Sequence, residues 1–253
     1  MIGAHLSKTD IENSFDSIGA EVAQVFLSNP RGYQAPNLNM LDICKIIPIY
    51  AHLPYLVNFA SSREDVVSKS MVLYKETDRI YGKSIKGIIV HGGQGGLDSN
   101  IAQTFSRWEG ALNNYTSSTT LLIENTAGGN AAPGKNIDDL ITLVKKIRYL
   151  GVNVGVCLDT CHLFAAGYND MSEVYRKVKG ELGRVDLIHL NDSKDKLSSS
   201  RDRHANINEG EIKIKILKPI ILDAIEDDVD MILETPGGLE VWREEIKLVK
   251  NLS

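Results

Sequence analysis

Hydrophobic residues fall along this chain in short runs that alternate with longer amphipathic stretches. The runs predict strands at residues 2–5, 22–27, 46–52, 85–91, 120–124, 154–159, 185–190 and 231–234. Several of these are continuously apolar, as expected of parallel strands buried on both faces, whereas a half-buried strand alternates. Helical spacing fills the gaps. Ser61 and Ser62 with Glu64 and Asp65 predict a helix start before Val66, Met71, Val72 and Tyr74. Asn136-Ile137-Asp138-Asp139 opens a second helix through Leu140, Val144 and Ile147, and Gly151 is placed to close it. A last amphipathic helix is predicted over 239–248.

Eight such units in 253 residues predict an α/β protein, a (β/α)8 TIM barrel forming a single domain over 1–253. An open doubly wound sheet would usually carry a glycine-rich phosphate loop after its first strand. Here that strand leads into His5-Leu6-Ser7-Lys8. Two loops are long, 29–39 and 191–210, and both leave C-terminal strand ends, the face where barrel active sites lie.

Composition narrows the class only a little. No apolar stretch approaches membrane-spanning length, and Met1-Ile2-Gly3-Ala4-His5 lacks the features of a secretory signal. Three cysteines make no disulfide framework, and reduced thiols fit a cytoplasmic protein. Cys157 and Cys161 bracket Asp159, but alternation puts Cys157 on the same side as Asp159 and deeper, so both read as buried thiols rather than ligands. A formal charge of −5 argues weakly against nucleic-acid binding, yet three divalent ions would more than offset it.

The histidines change the picture. Five of the six lie at or just past strand ends: His52, His91, His162, His189 and His204. Glu124, Asp159 and Glu234 hold equivalent places, and Asp202 lies two residues before His204, where alternate residues of an extended segment share a face. Imidazole and carboxylate are the ligand set of zinc and similar ions. Nine candidates exceed the needs of one ion and suit three, with one carboxylate bridging. His5 ends the first strand similarly but reads as a supporting or packing residue.

Longer motifs carry a resemblance. Val156-Cys157-Leu158-Asp159-Thr160-Cys161-His162-Leu163-Phe164-Ala165-Ala166-Gly167 resembles a signature of the endonuclease IV family of apurinic/apyrimidinic endonucleases. His189-Leu190-Asn191-Asp192-Ser193-Lys194 with Asp202-Arg203-His204, and His52-Leu53-Pro54-Tyr55-Leu56-Val57-Asn58, look like two more. Gly3-Ala4-His5 and Glu124-Asn125-Thr126-Ala127-Gly128 also fit. The resemblance implies a barrel with three zinc ions, which manganese or iron can replace, that cuts double-stranded DNA 5′ to an abasic site and trims blocked 3′ ends. Carried over by position, His52, His91 and Glu124 would hold the first ion; Glu124, Asp159, His189 and Glu234 the second; His162, Asp202 and His204 the third. Glu124 and Glu234 would be catalytic, Glu234 by orienting a metal-activated water. Arg31, Tyr55 and Leu56 align with residues that push into the duplex, and Arg203 and Lys194 are candidates for phosphate contact. A monomer is expected, since one face must lie on DNA.

The chain departs from the family pattern at Pro30 and Gly32, beside Arg31, and at Asn208, where glycine is usual. None of these is a candidate ligand. A sugar isomerase or epimerase of the same barrel would need Glu124, Asp159, His189 and Glu234, but not His52 and His91 together with Asp202 and His204. A non-catalytic derivative would be expected to have lost a ligand.

Overall fold

The computed structural model describes residues 1–252, and Ser253 lies outside them. Its strands are β1 (Ile2–His5), β2 (Val22–Phe26), β3 (Ile49–His52), β4 (Gly87–His91), β5 (Leu121–Glu124), β6 (Val154–Asp159), β7 (Leu187–His189), β8 (Asp192–Ser193), β9 (His204–Ala205) and β10 (Asp230–Leu233). Eight of them close into a parallel barrel in the order β1-β10-β7-β6-β5-β4-β3-β2, while β8 and β9 form a separate antiparallel ribbon. The helices are α1 (Ile11–Ile18), α2 (Glu64–Tyr81), α3 (Ile101–Leu112), α4 (Ile137–Tyr149), α5 (Thr160–Ala166), α6 (Met171–Leu182), α7 (Ile214–Glu226) and α8 (Leu239–Lys250).

The predicted barrel is thus present, but its helices are unevenly shared. Strand β2 is followed only by a 3-10 turn at Ile43–Lys45, whereas β6 is followed by both α5 and α6. The third strand begins at Ile49, not 46. Ile46 closes the 3-10 turn in helical conformation and is 74% exposed, so its apolar character does not mark a strand. The long 191–210 loop contains the β8–β9 ribbon, which hydrophobic patterning does not signal because its residues are mostly polar. Arg63 holds the N-cap position of α2 without a side-chain cap, and Ser61 accepts from the Arg63 amide through Oγ instead of capping. Asn136 does cap α4, accepting from the amides of Asp138 and Asp139, and Gly151 follows it at φ 82°.

Alternation along each strand separates two cores. Outward residues pack against the helices. Inward, Val22, Tyr50, Ile89, Leu122, Cys157, Leu187 and Ile232 make one apolar layer across the barrel. Two residues further along the same seven strands stand Gln24, His52, His91, Glu124, Asp159, His189 and, just past β10, Glu234. Since residues i and i+2 share a face, a polar layer sits directly above the apolar one. β1 reaches its place only because residue 3 is glycine: a Cβ there would lie 1.6 Å from the Val22 carbonyl oxygen.

Candidate metal centre

All nine candidate ligands converge at the C-terminal end of the barrel. Their donor atoms form three groups, each within 4.8 Å: His52, His91 and Glu124; Glu124, Asp159, His189 and Glu234; and His162, Asp202 and His204. Glu124 joins the first two. Its Oε2 lies 3.1 Å from His52 Nε2 and 3.3 Å from His91 Nε2, while Oε1 lies 3.1 Å from His189 Nδ1. His162 Nε2 and His204 Nε2 each lie 3.1 Å from Asp202. Helix α5 starts immediately after β6, so Asp159 caps it through the His162 amide at 2.7 Å and throws His162 over the barrel axis. The β8–β9 ribbon and the loop it closes bring Asp202 and His204 in from the other side.

Neighbours aim these side chains. His52 Nδ1 donates to the Leu53 carbonyl at 2.7 Å, His162 Nδ1 to that of Asn125 at 3.0 Å, and His204 Nδ1 to that of Glu234 at 3.2 Å. Each therefore turns its Nε2 lone pair into the cluster, as metal-ligating histidines commonly do. Asn125 accepts from the Asp159 amide at 2.6 Å and donates to its carbonyl. Asn191 donates to Asp159 Oδ2 at 2.7 Å and accepts from the Glu234 amide at 2.9 Å. Gln24 and His5 contact Glu234. Residue order alone assigns no role to Asn125, Asn191 or Gln24. Gln24 does leave a signal, as the one polar residue in Val22-Ala23-Gln24-Val25-Phe26.

The electrostatics fit a site for cations. Glu124 and Asp159 are fully buried, and a buried carboxylate without positive charge is costly. Among the described residues, every ion pair of Glu124, Asp159, Asp202 and Glu234 is with histidine. Burial pulls His162 down, but Asp159, Asp202 and Glu124 outweigh it and hold the imidazole well above the usual range. Burial likewise opposes His204, which the carboxylates of Asp159 and Asp202 raise to about 9. Glu124 is pushed up by burial, yet His91, His189 and His162 hold it well below the usual carboxylate range. His204 Nε2 is nevertheless buried without a hydrogen bond, although Asp202 Oδ1 lies 3.1 Å away. A lone pair pointed at a shared centre accounts for that orphan. Cys161 Sγ also lies close to Asp159 and His204, but burial pushes its thiol up to about 12, so it is a protonated thiol and a poor ligand. Cys157, in the apolar layer, is likewise pushed up to about 12 by burial.

The rim has a different character. Tyr55 is 63% and Leu56 45% exposed, and the Tyr55 ring packs edge-on against Phe26 at 5.3 Å. The Tyr55 amide donates to the Pro30 carbonyl and Tyr33 Oη donates to the Leu56 carbonyl, so the loop carrying Arg31 is laced beside them. Lys194 is exposed. Arg203 does turn away from its ligand neighbours, but its guanidinium is held by both oxygens of Asp195, at 2.6 and 2.5 Å, rather than left open for phosphate. Asn208 lies at φ 70°, the left-handed region that glycine would occupy freely. Its Oδ1 accepts from the Ile214 amide at 3.3 Å, at the first residue of α7, whose N-cap residue Lys213 makes no side-chain cap. A cavity of about 230 Å³ opens between Tyr55 and Trp242, over His52, His162, His204 and Glu234.

Comparison with known proteins agrees with this architecture. The family model described as "Xylose isomerase-like TIM barrel" matches residues 38–252. A Mycobacterium leprae protein described as "Probable endonuclease 4" is 36% identical over 254 residues, covering 94% of this chain and all of the relative. Its Mycobacterium ulcerans counterpart is 37% identical over 240 residues, 93% of this chain and 92% of that protein. Among solved structures, endonuclease IV from Thermus thermophilus superposes with a TM-score of 0.83 at 29% identity, covering 99% of this chain and 98% of that one. A D-tagatose 3-epimerase-like protein superposes with a TM-score of 0.77 at 18% identity, covering 99% of this chain and 96% of that one, and shares the fold. With 36% identity to a relative over 94% of its length, the chain belongs to the endonuclease IV family of xylose isomerase-like TIM barrels.

Proposed function

We propose that the chain is a DNA-repair enzyme that hydrolyses the phosphodiester bond 5′ to an abasic site in double-stranded DNA. The products are a 3′-hydroxyl and a 5′-deoxyribose phosphate, and the same site trims blocked 3′ ends. The observation that carries this reading is the convergence of nine donor side chains in three adjoining groups, whose carboxylates, among the described residues, form ion pairs with histidine alone.

Three zinc ions suit that donor set: His52, His91 and Glu124 would hold one, Glu124, Asp159, His189 and Glu234 another, and His162, Asp202 and His204 the third. Manganese or iron would be accepted by the same nitrogen and oxygen donors. When bound, the ions supply water acidified to near neutrality and positive charge for the phosphate and the departing oxygen. The protein's share of the chemistry is positional. Glu124 presents one oxygen to each of two groups. Glu234 has Oε1 engaged by Gln24 and Oε2 on the cluster, 3.2 Å from His189 Nδ1, a place from which its carboxylate would orient the attacking water. Tyr55 and Leu56 would enter the duplex and replace stacking at the missing base, where flipping is cheapest. Arg31 and Lys194 would meet phosphates. Arg203 would do so by exchanging Asp195 for a phosphate oxygen. The protein would work as a monomer, in the cytoplasm, with this one face on the duplex.

The test is incision of a duplex oligonucleotide carrying one tetrahydrofuran abasic-site analogue. Metal-loaded protein should make a single cut on its 5′ side, and chelator-stripped protein and Glu234→Gln should not. The analogue blocks β-elimination, so the cut reports hydrolysis. Protein shown to hold three metals that leaves this substrate intact overturns the proposal.

A further inference from the structure

Three of the clustered histidines owe their orientation to a backbone carbonyl, as described for His52, His162 and His204. His189 is different. Its Nε2 lies 2.7 Å from Oε1 of Gln24, a fully buried side chain on β2. Gln24 Nε2 lies 2.6 Å from Glu234 Oε1 and 2.9 Å from His5 Nδ1. The side-chain hydrogen bonds of this glutamine thus go to residues of the open end.

The amide can face only one way. Reversed, it would set its carbonyl oxygen 2.6 Å from a carboxylate oxygen with no proton between them. With the NH2 on Glu234, Oε1 requires a proton from His189, so the neutral imidazole carries its hydrogen on Nε2. The lone pair is then on Nδ1, which lies 3.1 Å from Glu124 Oε1 and 3.2 Å from Glu234 Oε2. The same NH2 lies 2.9 Å from His5 Nδ1, which is itself 3.2 Å from Glu234 Oε1. Glu234 Oε1 is occupied by the amide, which leaves Oε2 to the cluster.

We infer that Gln24 is a positioning residue that selects Nδ1 of His189 and Oε2 of Glu234 as the donor atoms for the ion held by Glu124, Asp159, His189 and Glu234. The inference rests on the metal reading of the open end and adds to it a residue outside the nine. Loss of such an orienting partner typically weakens metal binding about 10- to 100-fold.

The experiment measures zinc content and competition with a chromophoric chelator for wild type, Gln24→Met and Gln24→Glu, with long-range 15N–1H NMR of the histidine rings. Wild type should hold three zinc ions, with His189 bound through Nδ1 and protonated on Nε2. In Gln24→Met one of the three ions should bind roughly 10- to 100-fold more weakly while two keep their affinity. Gln24→Glu keeps the acceptor for His189 but sets a carboxylate against Glu234. It should preserve the His189 tautomer and still weaken that one ion. Unchanged zinc affinity in Gln24→Met overturns the inference and leaves the metal reading standing. So does a wild-type His189 bound through Nε2, a result that needs no variant to fold. Wild-type protein that takes up no zinc overturns the metal reading and this inference with it.

Discussion

The two ends of the barrel solve the same problem differently. At the N-terminal end, Asp230 is buried, and its Oδ2 accepts from the Tyr50 hydroxyl at 3.0 Å and pairs with the Lys86 ammonium at 2.5 Å. The chain itself supplies the compensating charge. At the C-terminal end the ion pairs of four carboxylates are, among the described residues, all with imidazoles, whose charge depends on protons they can lose. One apolar layer separates the two clusters. The closed end is complete within the chain, while the open end is built for charge from outside. Stability and chemistry are thereby assigned to opposite ends of one set of strands.

The sharpest test of that division is metal removal. Stripping the protein with a chelator should abolish incision. It should also lower stability by about 4 kcal/mol for each ion lost, relative to protein in zinc at about a thousand times that ion's dissociation constant. For a chain of this size that is a fall of roughly 8–16 °C in thermal midpoint. A chelated protein that melts with the loaded one would show that the open end, too, is complete without ions.

Paired substitutions separate the ends. Glu124→Gln removes the carboxylate shared by two groups. It should reduce bound zinc and cut incision by about a thousandfold or more, as expected when two Lewis-acid sites lose a common ligand. Asp230→Asn should cost about 1–3 kcal/mol, since it leaves Lys86 without its partner, and should leave zinc content and incision unchanged. Loss of zinc in Asp230→Asn would mean that the apolar layer transmits strain between the clusters, and the comparison would break there.

A smaller effect appears on changing pH. In metal-free protein His204 is raised to about 9, and His162 is held well above the usual range. Burial opposes each shift and neighbouring negative charge overcomes it, Asp159 first for His204 and His162. A folded state that binds protons more tightly than the unfolded chain is stabilised below the unfolded histidine value, near ~6.5. It loses that contribution as pH rises through the folded values. Chelated protein should therefore lose on the order of 1–3 kcal/mol between about pH 6.5 and 9. Zinc-loaded protein, with those protons displaced, should not. At the closed end burial and Asp230 raise the Tyr50 phenol, so it stays neutral across this window. Thermal midpoints of both forms across this range check it, and parallel curves would remove the asymmetry.

How much of this was legible in the sequence follows from the same layering. A strand buried on both faces shows as an apolar run, and a histidine or acid at its end stands out against it. The barrel and the nine candidates could therefore be read from residue order, as could the capping of α4 by Asn136. Neutral hydrogen-bonding residues leave a weaker mark. Gln24, Asn125 and Asn191 sit beside or between the conspicuous residues, and their work depends on partners far away in the chain, such as Asp159 and Glu234. The β8–β9 ribbon was invisible because its strands are two residues long and mostly polar. The pairing of Arg203 with Asp195 is not legible in residue order, because local sequence shows which way a side chain can turn, not what it meets.

The smallest effect is expected at Asn208, where the chain departs from the family pattern without touching the cluster. Asn208→Gly removes the cost of a side chain at φ 70° but also removes the acceptor for the Ile214 amide at the start of α7. The two effects are each on the order of 1 kcal/mol and opposed. The net change in stability should lie within about 0.5 kcal/mol. The turn itself should persist, because buried Asp192 accepts from the amides of Asn208 and Gly210 through Oδ2 and from that of Ile212 through Oδ1, whatever side chain stands at 208. Chemical denaturation would read the balance, with zinc content measured alongside. A loss well beyond ~1 kcal/mol with zinc retained would show that the hydrogen bond to Ile214 outweighs the backbone strain. A loss of zinc would show that this loop, through the ribbon it follows, holds Asp202 and His204 in place and belongs energetically to the open end.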